Sequence, residues 1–217
     1  MTEPPTEPSI TRPRRRPPRL GPWILLALLV LAGLGGWYLL TRPRLAFTNR
    51  LAAPIWIATG PSAPISIAPA ATQRLALPRA GSVVVQWNLA RPLSADQRPM
   101  GEELRGSEVI RKPSGLLYRS ATNRGTGTDY FAPLITNSTD ALLRVTVNAG
   151  LEGAVDCGCA VRPGARRVFI GYYRLYGNST VQVRDSLGRR AMFRDLGPSV
   201  TTLDGTVGLR FESKDLR

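Results

Sequence analysis

Residues 22–40, PWILLALLVLAGLGGWYLL, run for nineteen positions without a charge and are flanked on both sides by arginine. As a helix rising about 1.5 Å per residue they reach roughly 28 Å, close to the ~30 Å hydrocarbon thickness of a bilayer. A helix crosses such a layer because it satisfies its backbone polar groups internally. Trp23 stands at one end and Trp37 and Tyr38 at the other, where amphipathic rings favour the membrane interfaces. The stretch predicts a single-pass signal-anchor, with the lipid bilayer as its partner. A cleaved signal peptide is the rival reading. Against it, the apolar stretch is longer than an h-region, and no small-x-small cleavage site ends it.

Arg12, Arg14, Arg15, Arg16 and Arg19 precede the span, and Arg42, Arg44 and Arg50 follow it. Five basic residues against three place the N-terminus in the cytoplasm. The first twenty residues hold six prolines and five arginines, a composition that cannot build a packed core. Residues 1–21 are therefore expected to be a disordered basic cytoplasmic tail, and the foldable mass is expected on the extracytoplasmic side of the cell membrane.

The chain has no histidine. That excludes Ser-His-Asp triads, Cys-His pairs and imidazole metal sites. Glu102 and Glu103 are adjacent and diverge on a helix or a strand, a poor acid/base pair. The run around residues 125–128 lacks the Gly-Lys-Ser/Thr ending of a phosphate loop. No enzyme is expected. Net charge is +14, with 27 of the 29 basic residues arginine. The arginines are scattered and no nucleic-acid motif is present, so anionic lipid or an acidic protein is a better partner than nucleic acid.

Beyond residue 40 the chain reads as short β-strands cut by Pro, Gly, Asn and Asp. Candidates are 45–48, 55–58, 65–67, 74–77 and 82–87, then 142–147, 157–161, 168–173, 180–184 and 207–211. Phe47-Thr48-Asn49 and Ile135-Thr136-Asn137 each lead into a further strand, 88 residues apart. ISIAPAATQRLAL at 65–77 aligns with CAVRPGARRVFI at 159–170, offset 94, and SVVVQW at 82–87 with STVQVR at 179–184, offset 97. The fold class expected is mainly β: an immunoglobulin-like antiparallel β-sandwich region, in two related modules at 41–90 and 134–217. Residues 91–133 form a connecting segment, with strands at 108–111 and 116–121 or a long exposed loop, and a helical turn at 100–105.

Cys157-Gly158-Cys159 is the cluster with most chemical potential. Two thiolates can hold a soft ion such as Cu(I). The pair stands in DCGCAVRPG, with Pro163-Gly164 following. With an N-terminal anchor and an extracytoplasmic immunoglobulin-like domain, this resembles the copper-delivery family of cytochrome c oxidase assembly, which carries a Cys-x-Cys pair upstream of a Pro-Gly turn. The resemblance covers the architecture and nine residues, 156–164; the phenylalanines that flank the family's cysteines are absent. It implies Cu(I) held by Cys157 and Cys159. The alternative comes from strand geometry. Cys157, Cys159 and Val161 share one face of a strand, the core face, where cysteine serves as a small hydrophobe. A disulfide between i and i+2 of an extended strand, with Cα atoms roughly 6.5 Å apart, lies at the edge of allowed geometry.

Tyr172, Tyr173, Arg174 and Tyr176 gather tyrosine around an arginine, a composition favoured at interfaces with an envelope or membrane protein partner. The alternative is sheet core with hydroxyls at the rim. Asn137-Ser-Thr and Asn178-Ser-Thr match the glycosylation acceptor pattern but read better as surface turns, with Asn, Ser and Thr bonding to local backbone. Function is thus expected to be non-catalytic binding, scaffolding or assembly in the cell envelope; the alternative is a Cu(I)-binding or thiol-redox assembly factor.

Overall fold

The computed structural model describes residues 21–40, 42–79, 81–124 and 128–217. Of the tail expected at residues 1–21, residues 1–20 lie outside them and Gly21 opens a helix; residues 125–127 of the run at 125–128 also lie outside. The chain divides into two compact units, one ending at Thr41 and the other spanning Arg42–Arg217.

The first unit contributes α1, Gly21–Leu40, 20 residues with no charge and no polar face. Its leucines are more than half exposed along the described side chains, 61 % at Leu25 and 63 % at Leu29. Among the described residues, no helix is long and apolar enough to cross a membrane.

The second unit is mainly β. Its first seven strands are β1 (Arg44–Asn49), β2 (Ile55–Thr59), β3 (Ile65–Ile67), β4 (Thr72–Ala76), β5 (Ser82–Leu89), β6 (Arg105–Arg111) and β7 (Leu116–Ala121). They make two sheets, β4-β1-β7 and β3-β2-β5-β6. Eight more follow: β8 (Tyr130–Ser138), β9 (Leu143–Val147), β10 (Val155–Val161), β11 (Val168–Phe169), β12 (Tyr173–Arg174), β13 (Ser179–Arg184), β14 (Arg190–Leu196) and β15 (Thr206–Glu212). In the third sheet β8 lies between β15 and the pair β11 and β12; the fourth has the order β10-β9-β13-β14.

The pairing pattern occurs twice. β1 runs antiparallel to β4 and parallel to β7; β8 runs antiparallel to β11 and β12 and parallel to β15. Each sheet buries one face. Leu45 and Phe47 of β1 meet Ile55 and Ile57 of β2 and Val83 and Val85 of β5 in one apolar cluster. Ile135 of β8 meets Val145, Val161, Val183 and Phe211 in the other. The alternation of buried and exposed residues along β5 and β9 is the period-2 pattern of half-buried strands, and the arrangement is compatible with β-sandwich packing.

Residues 105–121 hold the two strands expected at 108–111 and 116–121. They form β6 and β7, which pair with β5 and β1. No helical turn forms at 100–105: Gly101 takes a positive φ of 78°, and β6 begins at Arg105. The repeat offset at the third landmark is also shifted by one. Thr59 pairs with Val85, and Val147 with Val181. Val85 and Val181, 96 residues apart, are therefore the equivalent positions. An offset of 97 would set exposed Val84 against buried Val181, because a one-residue slip exchanges the two faces of a strand.

The Phe-Thr-Asn and Ile-Thr-Asn landmarks acquire a physical role. Asn49 is fully buried; its Nδ2 donates to the carbonyls of Ala53 at 2.9 Å and Ile67 at 3.0 Å, and its Oδ1 accepts from the Leu51 N–H at 2.9 Å. Asn137, also buried, donates to Ala141 and Val161 at 2.8 Å each and accepts from the Thr139 N–H at 2.9 Å. Each asparagine sits on the central strand of one sheet and bonds to the far strand of its facing sheet, β3 or β10. Asn137 is thus a cross-sheet tie rather than a surface acceptor or turn, whereas Asn178 is exposed in the turn before β13. Removing either side chain leaves two carbonyls and an N–H unpaired, at about 1 kcal/mol or more each. Asn49→Ala and Asn137→Ala are each expected to cost about 3 kcal/mol in urea denaturation, and equal stability to the parent would refute the role.

Candidate functional site

Cys157 and Cys159 lie on β10, 6 % and 7 % exposed, and are joined to each other by a disulfide. The sequence expectation of a shared core face holds: Cys157, Cys159 and Val161 all enter the second apolar cluster. The regular strand assumed for them does not. Asp156 pairs with Thr146 and Ala160 with Arg144, so β10 carries two more residues than its partner across this stretch. Gly158 takes a left-handed φ of 63°, a conformation open to glycine at no steric cost. The Asp156 carboxylate accepts from the Gly158 N–H at 3.1 Å. The bulge brings the two Cα atoms to 5.1 Å, inside the range a disulfide needs. In this oxidised form Cys157 and Cys159 present a disulfide in place of two thiolates, and among the described residues no group of three His, Cys, Asp or Glu could hold a metal ion. A hollow of about 250 Å³ opens beside the disulfide, lined in part by Asp96, Arg144, Asp156 and Cys159.

The tyrosine patch is divided. Tyr172 and Tyr173 are fully enclosed, which removes them from any surface contact; Arg174 is exposed and Tyr176 half-buried. Tyr172 stands between β11 and β12, where Gly171 at φ 109° breaks the strand. Its ring leaves the second half of the unit and enters the apolar cluster of the first, edge-on to Phe169 at 5.8 Å. Its hydroxyl donates to the Asp204 carbonyl at 2.6 Å and accepts from the Ala52 N–H at 2.8 Å. Tyr173 points the other way, into the second cluster, and donates to the Ile170 carbonyl at 2.9 Å.

The segment before β6 completes this junction. The Glu102 N–H donates to the Tyr172 carbonyl at 2.7 Å, and the Glu102 carboxylate accepts from the Arg174 N–H at 2.8 Å. A Cβ on Gly101 would fall 2.8 Å from the Tyr172 carbonyl oxygen, and one on Gly171 would fall 2.8 Å from the Gly101 Cα. Backbone meets backbone there, and Met100 passes into the second cluster. Sequence reading missed this contact. Its signal was two glycines, Gly101 and Gly171, at positions no turn pattern explained. No protein-family model matches the chain, and neither a curated protein nor a solved structure matches it.

Burial pushes the phenols of Tyr172 and Tyr173 well above their ordinary value. A group whose folded pKa is raised contributes stability that is whole below its unfolded pKa, near 10 for tyrosine, and lost as pH rises through the folded value. The protein is expected to lose stability above about pH 10 for this reason. Tyr172→Phe should cost about 1–3 kcal/mol at pH 7 by stranding the Ala52 N–H and the Asp204 carbonyl, and should flatten the alkaline loss. Urea titrations at pH 7 and pH 10.5 measure both; an unchanged pH slope would refute the assignment.

Proposed function

We propose that this is a non-catalytic, single-pass membrane protein of the cell envelope. Two related immunoglobulin-like modules, held extracytoplasmically, act as a binding, scaffolding or assembly element for another envelope protein. The observation that carries the reading is α1. A helix apolar on every side either sits in the core of a large protein or spans a membrane, and the leucines of α1 are exposed. The nineteen uncharged residues 22–40 supply the length, and the arginine excess before them supplies the orientation.

The duplication rests on the two asparagine ties. Asn49 and Asn137 are 88 residues apart, as are their acceptors Ala53 and Ala141. The second acceptors, Ile67 and Val161, are 94 apart, as are Ala71 and Ala165, whose carbonyls take the N–H of each asparagine. Absence of histidine and a missing nucleophile–base set favour binding over catalysis. With Tyr172 and Tyr173 spent on the intramolecular junction, Arg174 and Tyr176 remain for a partner.

Carbonate-washed membranes test the reading directly. The full-length protein is expected to stay in the pellet, with a C-terminal reporter active only outside the cytoplasm; release by carbonate, or a cytoplasmic reporter, would refute it.

One observation favours a second reading, thiol–disulfide exchange: Cys159 of the oxidised pair borders an open hollow. An incoming thiolate would form a mixed disulfide with one sulfur and release the other as thiolate. Such a factor would be reduced in its native fold by a small dithiol and would then label with maleimide at two thiols. A purely structural pair is expected to label only after denaturation, which would end this alternative.

A further inference from the structure

Every acidic residue of the second unit lies at position 96 or later: between Glu7 and Asp96 the sequence has none. The fold concentrates the consequence at one pole of the first seven strands. β1, β3, β5 and β7 begin there, and β2, β4 and β6 end there, so the pole is built from residues 42–44, 59–65, 76–79, 81–82 and 111–116. Backbone bonds join these turns. Leu77 N–H donates to Pro43 at 3.0 Å, Arg44 N–H to Gly115 at 2.8 Å, and Lys112 N–H to Gly81 at 2.9 Å. Arg42, Arg44, Arg79, Arg111 and Lys112 are all exposed on these turns. No carboxylate belongs to them, and the nearest one in sequence, Glu108, is held by Arg119.

Apolar side chains adjoin the basic ones. Leu45 and Phe47 of β1 face the core; Arg44 and Ala46 share the opposite face, where Arg44 is exposed and Ala46 is covered by its neighbours. Arg44 lies between Ala76 and Leu116, and Ala46 between Arg74 and Tyr118. Leu116 is 41 % exposed and Tyr118 70 % exposed. Guanidinium groups beside an exposed tyrosine and leucine suit a surface where charge meets phosphate and rings sit at headgroup depth. In sequence, Thr41 alone separates Leu40 from Arg42.

We infer that the pole formed by Arg42, Arg44, Arg79, Arg111 and Lys112 is a docking surface for anionic lipid headgroups. It holds the first seven strands against the bilayer. The inference rests on the anchor reading of residues 22–40 and adds to it a requirement for lipid of negative charge. Each basic side chain near such a surface contributes about a five-fold factor in the docking equilibrium. Salt weakens the attraction, since charges are screened beyond about 3 Å at 1 M.

The test uses the full chain carrying Ser114→Cys, an exposed position in the pole, labelled with a fluorophore under non-reducing conditions. The protein is placed in nanodiscs of phosphatidylcholine alone or of phosphatidylcholine with phosphatidylglycerol, each containing a headgroup-nitroxide quencher. Strong quenching is expected with phosphatidylglycerol, weak quenching with phosphatidylcholine alone, and loss of the difference at 1 M salt. Arg44→Glu, Arg111→Glu and Lys112→Glu together should remove the difference. The corresponding Gln triple variant, which keeps side-chain size, should weaken docking about a hundred-fold by the same per-residue factor. Equal quenching in the two lipids, or no effect of either triple variant, would overturn the inference. So would loss of quenching with inorganic phosphate at matched ionic strength, which would assign the pole to a discrete phosphate ion. Carbonate extraction of the same samples separates the two readings. Release by carbonate with lipid-dependent quenching intact would refute the anchor and leave the docking surface standing. Retention with equal quenching would do the reverse.

Discussion

A buried asparagine bonded from one sheet to the other is the constraint on which each half of the β unit depends. Hydrophobic burial brings two sheets together without fixing how they slide. Asn49 and Asn137 remove that freedom, because each bonds only if β1 or β8 stands at one register opposite β3 or β10. The amide is enclosed, so a slipped register would strand a donor and two carbonyls in an apolar interior. That penalty makes the arrangement specific as well as stable. The same side chain also shapes the turn that follows, through the Leu51 and Thr139 N–H groups.

The two halves differ where they touch. In the first, β4 is continuous along β1. In the second, the equivalent partner of β8 is cut into β11 and β12, and the residues between them turn away. Tyr172 uses that break to cross into the other apolar cluster, while Met100 crosses in return. Polar edges diverge as well. Glu108 of β6 and Arg119 of β7 form an ion pair, whereas in the second half Phe193 of β14 meets Phe211 of β15 edge-on at 5.0 Å.

Much of this was legible in the residues. Alternation along 82–87 and 142–147 marked half-buried strands, and the Thr-Asn pairs marked equivalent positions before their bonding was known. β6 was harder to read. Of RGSEVIR, Ile110 alone is buried, so there was almost no apolar period to detect. Cysteine placement on the core face followed from period-2 geometry, but the bulge at Gly158 did not, because a glycine between two cysteines carries no register information. The tyrosines misled for a different reason. Their composition suits an interface, and an interface is what they make, but inside the chain; sequence does not distinguish an internal contact from an external one.

Parallel pairing of the first and last strand in each half has a mechanical consequence. β1 and β7 run side by side in the same direction, as do β8 and β15. A force entering at the head of the first strand and leaving at the tail of the last would drag the two lengthwise past each other. Six register pairs between β1 and β7, and seven between β8 and β15, would then bear the load together rather than peel open one at a time. A chain folded this way resists stretching in both of its halves.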